Sequence, residues 1–217
     1  MKLLACITML IDHLGAVFFP HMGLRAIGRL AFPIFCFLLA EGIYHTKNPI
    51  RYGIRLFVCM LLSEIPFDLL FRGNMNLSSQ NVMVTLLLGF CMGQLMKQCT
   101  RYFSKVLVCI PFVLLGELTH CDYGGTGVLI ITLFLLTRDL PNKMLLQTLG
   151  LFLLCFSMGG SKFMGIPIQL FATAAMVPIW LYSGRKVTSS KATQLAFYLF
   201  YPAHLAVLLL IKILMCK

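Results

Sequence analysis

Long apolar runs separated by short polar punctuation dominate the chain. Nine of them approach bilayer-spanning length, which is about 20 residues at roughly 1.5 Å each in a helix. They cover residues 3–20, 27–46, 52–71, 81–97, 103–119, 125–137, 143–158, 163–182 and 192–214. The sixth and seventh are short, as tilted or partly re-entrant spans would be. The connections carry Gly, Pro, Ser or charge, the residues that end helices. The pattern predicts an all-α fold: a polytopic membrane helical bundle of about nine transmembrane helices. It forms one domain, 1–217, because no stretch between runs is long enough to fold alone. No internal repeat is visible, so an inverted-repeat transporter gains no support.

Composition sharpens this picture. Of 217 residues, 59% are hydrophobic and only 12% charged, which excludes an ordinary soluble domain and a disordered chain. A formal net charge of +11 would suggest nucleic acid in a soluble protein. Here the basic residues fall between apolar runs, so membrane orientation accounts for them and no nucleic-acid partner is expected. Twelve of the eighteen lie on one side: Lys2, then Lys47, Arg51 and Arg55, then Lys97, Arg101 and Lys105, then Arg138 and Lys143, then Arg185, Lys186 and Lys191. Arg25, Arg29, Arg72, Lys162, Lys212 and Lys217 fall on the other. The positive-inside rule then places the N-terminus in the cytoplasm and, with nine spans, the C-terminus outside. Nine scattered cysteines, with no Cys-x-x-Cys pair, read as small packing residues, and no metal site is expected.

Ionisable groups inside apolar runs carry the candidate chemistry, since burying them in lipid is costly. The first run holds Asp12 and His13 at its centre, which also argues against a signal peptide. Lys2 precedes His13 by eleven positions, so both fall within about 20° on one helical stripe, about 16 Å apart along the axis. In the ninth run Tyr201 and His204 are i,i+3 neighbours beside Pro202, and His204 matches His13 in depth. The second run opens with Arg29, placed to meet Asp12 or Asp68, and Pro33 is expected to kink it. Glu41 and His45, i,i+4 near its cytoplasmic end, read as a structural pair or as a wall of a cofactor site. In the third run Glu64, Asp68 and Arg72 share a stripe. Asp68 with Arg72 reads as an ion pair at the surface, and Glu64 either as the acid that orients a histidine across the bundle or as a simple packing residue. Glu117, His120, Asp122 and Tyr123 gather at the outer end of the fifth run and suit substrate binding. The polar loop 72–81 reads as a solvated connector or a cover over a cleft.

Several of these stretches together resemble the TraX family, named for a conjugal pilin acetylase. They are Asp12-His13-Leu-Gly15 in the first run, Gly28-Arg29-Leu-Ala-Phe-Pro33 and Arg55-Leu56, then Ser63-Glu64-Ile-Pro66-Phe67-Asp68. Asp122-Tyr123-Gly124, Gln169-Leu170, Leu181-Tyr182-Ser183-Gly184-Arg185 and Phe197-Tyr198-Leu-Phe-Tyr201-Pro202-Ala-His204-Leu205 continue it, with Ser183 where the family more often has Asn. The lysine-to-histidine spacing of the first run is also similar to that of the acyltransferase-three group of membrane enzymes. The resemblance implies a multi-pass protein of the bacterial plasma (inner) membrane that moves an acyl group from acetyl-CoA, with no metal. The acceptor would be a protein N-terminus, such as a pilin's, or a glycan. The centre would comprise His13, with Asp12, Glu64, Tyr201 and His204. Lys2, Arg51, Arg55, Glu41 and His45 would border the CoA at the cytoplasmic mouth, and Arg29, Asp68, Asp122 and Tyr123 would shape the outer end. The competing expectation is a transporter or channel for a proton or small solute, in which Asp12, His13, Glu64 and His204 form a relay.

Overall fold

A computed structural model describes residues 1–75, 78–182 and 191–215, with Lys191 described in its backbone only. Asn76 and Leu77 of the polar loop, the family-like Ser183, Gly184 and Arg185, and the basic residues Lys186 and Lys217 lie outside the described residues. The described chain is all-α apart from one small hairpin. The helices are α1 (Lys2–Val17), α2 (Met22–Gly28), α3 (Ala31–His45), α4 (Pro49–Phe71), α5 (Val82–Met96), α6 (Tyr102–Leu118), α7 (Gly124–Thr137), α8 (Lys143–Met158), α9 (Met176–Trp180) and α10 (Lys191–Met215).

Local chemistry explains the boundaries. The Asn48 side chain accepts the Arg51 N–H at 2.9 Å, and Pro49 stands in the first turn of α4, where no N–H is needed. Asn81 caps α5 in the same way, through the Met83 N–H at 2.9 Å. The second predicted span is two helices, α2 and α3. Pro33 has no N–H for the Arg29 carbonyl, so the helix stops at Arg29–Leu30 and restarts, instead of kinking at Pro33 itself. The eighth predicted span, 163–182, is not one helix. Strands β1 (Lys162–Phe163) and β2 (Ile166–Pro167) pair antiparallel, followed by a 3-10 helix (Ile168–Ala175) and the short α9. Met164 and Gly165 both take positive φ, 53° and 80°, the two-residue turn that matches strand twist and favours glycine. An apolar run interrupted by that turn had read as helix from its composition.

Helices α3, α5 and α7 form the interior, through Ile34, Ile43, Met92, Val128, Ile131 and Phe134. Around them α4, α6, α8 and α10 turn large apolar side chains outward, among them Leu62, Ile65, Phe103, Leu114, Phe152, Leu153, Leu210 and Leu214. Apolar faces of this extent call for an apolar neighbour. Among the described residues two stretches, Met22–His45 and Ala192–Met215, are long and apolar enough to cross a bilayer, while α5, α7 and α8 are apolar but shorter. The last helix, α10, packs along α4 and touches α1, which sets the first and last helices side by side.

Candidate functional site

A cavity of about 710 Å³ runs between α1, α3, α4 and α10, within the usual range for small-molecule sites. Lys2 of α1, His45 and Thr46 at the end of α3, the cap residue Asn48, and Arg51 and Arg55 of α4 border one end. Asp12, His13, Arg29, Asp122, Tyr123 and Tyr201 line the other. Between them lie Cys6, Met9, Leu39, Tyr52, Leu56 and Tyr198. The lysine-to-histidine stripe of α1 is thus one wall of a continuous chamber.

At its inner end the two predicted imidazoles meet. His13 Nδ1 lies 2.7 Å from His204 Nε2. The rings are nearly coplanar, 6° apart, with centroids separated by 5.0 Å, so they touch edge to edge in a shared plane and not face to face. The other nitrogen of His204, Nδ1, is 2.8 Å from the Phe200 carbonyl oxygen. Phe71 packs edge-on against His13 at 5.3 Å, and Tyr201 stands 6.5 Å away, both measured between ring centroids. His13 lines the cavity, and His204 is buried behind it. Pro202 contributes indirectly. It cannot donate to the Tyr198 carbonyl, and that oxygen instead takes the Cys59 thiol of α4 at 3.2 Å, tying α10 to α4 beside the histidines.

Asp12 is a structural anchor in this arrangement. Its Oδ2 accepts from Arg25 at 2.7 Å and from Arg29 at 2.6 Å, and Arg25 also reaches the Asp12 carbonyl at 3.3 Å. Of the two partners expected for Arg29, Asp12 is the one it finds. The break before α3 aims Arg29 at α1. Close contact there needs glycine: a Cβ on Gly28 would sit 2.2 Å from both Cβ and Oδ1 of Asp12. Arg29 also lies over the Tyr123 ring at 5.9 Å, and that ring stacks on Phe32 at 3.8 Å. Tyr123 has φ of 68°, a left-handed conformation that is costly without glycine and that starts α7. Asp122 precedes it and is exposed along the cavity wall. Its surface opens onto the cavity, but the protein packed around that cavity partly desolvates the carboxyl and raises it above the ordinary range, against the pull of Arg29.

Other expectations shift. Glu64 does not orient His13: its carboxylate accepts from the Asn81 side chain and, at 3.4 Å, from the Asn81 backbone N–H, which fixes the start of α5. Asp68 is fully buried, not at a surface, with Arg72 3.9 Å away. Glu117 accepts the Gly125 N–H at 2.8 Å and so holds the first turn of α7. Glu41 pairs with His45 at 3.2 Å, as its spacing suggested, and takes Arg138 of the α7–α8 connection at 2.9 Å. Both Glu41 and His45 still border the cavity. Arg55 lies over the Tyr198 ring at 5.8 Å and Lys2 over Phe197 at 5.6 Å, so aromatic side chains of α10 steady the basic end. The sequence did not mark Tyr52, Tyr198 or Cys59 as cavity residues. Arg25 as the second partner of Asp12 was findable, since it stands one turn before Arg29.

Comparison with known proteins places these features in a family. A family model described as "TraX protein" matches residues 1–212. A probable fimbrial assembly protein FimC, serogroup H1, of Dichelobacter nodosus is 27% identical, across 96% of this chain and 92% of its own length. An uncharacterized protein of Rickettsia prowazekii (strain Madrid E) is 26% identical, across 70% of this chain and 60% of its own. No solved structure matches the chain.

Proposed function

Because the chain belongs to the TraX family, we propose that it is a multi-pass membrane acyltransferase. It would move an acyl group, most simply acetyl, from cytoplasmic acyl-CoA to an amine or hydroxyl at or beyond the membrane. The observation that carries the proposal is the cavity that joins a cluster of Lys2, Arg51 and Arg55 to the paired histidines. A CoA-type donor is a polyanion joined to a thin arm that ends in a thioester. Basic side chains at the mouth suit its phosphates, and about 16 Å of α1 between Lys2 and His13 suits the arm. With the basic ends of the helices in the cytoplasm, the mouth opens there and the acceptor arrives from the far side. The fimbrial name of the Dichelobacter relative favours a protein N-terminus, such as a pilin's, as acceptor.

The chemistry needs a base for the acceptor proton and an acid for the departing sulfur. The acceptor lone pair attacks the thioester carbon while His13 takes the acceptor proton. The C–S bond then breaks, and His13 returns that proton to the thiolate. Tyr201 and Arg29, both on the cavity wall, are the donors available to the carbonyl oxygen as it gains charge. A proton relay is less well served. Asp12 Oδ2 is held by two arginines and Glu64 Oε2 by Asn81, and the described hydrogen bonds of the His13–His204 pair run to the Phe200 carbonyl and to neither acid.

The test is thiol release from acetyl-CoA by protein purified in detergent or nanodiscs, with an amine or pilin-like peptide acceptor. Turnover that depends on acceptor and falls by about 100-fold or more in His13→Ala supports the enzyme. No thiol release with any acceptor, together with proton flux in proteoliposomes lacking CoA, would establish the relay instead.

A further inference from the structure

The hydrogen-bond chain Phe200–His204–His13 fixes which nitrogen of His13 is free. A carbonyl oxygen only accepts, so the 2.8 Å contact to Phe200 requires a proton on His204 Nδ1. In the neutral ring, His204 Nε2 is then a bare lone pair. Its partner at 2.7 Å, His13 Nδ1, must be the donor, since two lone pairs would repel at that distance. With its Nδ1 protonated, neutral His13 keeps its lone pair on Nε2. That nitrogen lies on the opposite edge of a ring that lines the cavity. The near-coplanar, edge-to-edge arrangement puts the shared proton in both ring planes, which is where the lone pair of His204 points.

We infer that His204 is a positioning residue: it holds His13 in the Nδ1–H tautomer and aims Nε2 at the reacting centre. A carboxylate commonly fills that place beside a base, and Asp12 and Glu64 are the nearby candidates. Both are committed elsewhere, Asp12 to Arg25 and Arg29 and Glu64 to Asn81. A neutral imidazole anchored on a backbone carbonyl serves instead, and it suits a membrane interior because it adds no buried charge to the resting site. When His13 takes the acceptor proton on Nε2, its Nδ1–H strengthens as a donor to His204 Nε2. The new charge is thereby shared along the chain to the Phe200 carbonyl, and the proton later leaves His13 for the thiolate. This inference rests on the acyl-transfer reading for its consequence, but the tautomer itself does not.

Two variants separate the atoms of His204. In His204→Gln the amide reaches the place of Nε2 and its oxygen can accept from His13. In His204→Asn the amide reaches only the place of Nδ1 and leaves His13 without an acceptor. The expected outcome is a kcat lowered by about 10–100-fold in His204→Ala and His204→Asn, as for other partners that orient an imidazole. KM for acetyl-CoA should be unchanged, with kcat largely restored in His204→Gln. Nitrogen-15 NMR of histidine-labelled protein in nanodiscs reads the tautomer without any substrate. It should show neutral His13 protonated on Nδ1 in the native protein and redistributed towards Nε2–H in His204→Ala. A native Nε2–H tautomer, or equal kcat in the Gln and Asn variants, overturns the inference even if the enzyme turns over. An Nδ1–H spectrum in a protein that releases no thiol upholds the tautomer while the acyl-transfer reading fails.

Discussion

The charged cluster around Asp12 gives the most decisive stability prediction. The side chains of Asp12 and Arg29 are each 10% exposed, whereas Arg25 is 31% exposed. Asp12→Asn removes both ion pairs and strands a buried guanidinium, which costs about 3–5 kcal/mol. Arg29→Met is milder, about 1–3 kcal/mol, because Asp12 keeps Arg25 at 2.7 Å and is never left bare. Arg25, partly solvated, is worth roughly 1 kcal/mol or less. The double variant Asp12→Asn/Arg29→Met no longer contains the stranded cation, so it should be no less stable than Asp12→Asn alone. The coupling energy of the cycle then equals about the whole effect of Arg29→Met. The chain supplies its own reporter: Cys36 and Cys155 are buried free thiols that become reactive on unfolding. A thiol-reactive fluorophore in a thermal ramp should place Asp12→Asn roughly 6–20 °C below the native protein, at about 2–4 °C per kcal/mol for a chain of this size. Additive single effects, or an unchanged midpoint in Asp12→Asn, would refute the view that this pair clamps α1 onto the α2–α3 junction.

Three further outcomes follow from the same geometry. Gly28→Ala drives a methyl into Asp12 and should cost at least the roughly 1–3 kcal/mol typical of overpacking, with loss of activity because His13 is adjacent; the thermal ramp and the thiol assay read the two effects separately. Arg55→Ala or Lys2→Ala should raise KM for acetyl-CoA by about tenfold, the worth of one charge-assisted hydrogen bond at roughly 1.5 kcal/mol, and leave kcat nearly unchanged; a fall in kcat at constant KM would remove these residues from donor binding. Glu64→Gln, which still accepts from Asn81, should keep the kcat of the native enzyme, whereas a loss of more than about tenfold would return Glu64 to the catalytic centre.

Much of the helical framework was legible because apolar run length and helix-ending residues are local properties. Eight of the nine predicted runs contain a helix or helix pair close to the expected bounds. The eighth misled because composition does not distinguish a helix from a hairpin and 3-10 turn of equal hydrophobicity, and only the positive φ at Met164 and Gly165 reveals the turn. The site was legible in part for the same reason. Ionisable residues in apolar surroundings stand out, so Lys2, Arg51, Arg55, His13 and Tyr201 could be picked out, and all of them border one cavity.

The sequence by itself determined that the chain is helical and singled out His13 and His204 as ionisable residues within apolar runs. Each follows from spacing along one strand of chain. Only the tertiary structure decided partnership. Asp12 could have served as a base, Glu64 could have oriented His13, and Asp68 could have met Arg29, all with identical one-dimensional spacing. The choice came from which helix lies beside which: α1 against the α2–α3 break gives Asp12 to the arginines, and α10 beside α1 gives His204 to His13. Hydrogen bonds act over about 3 Å, and a sequence fixes no distance that short between segments 191 residues apart.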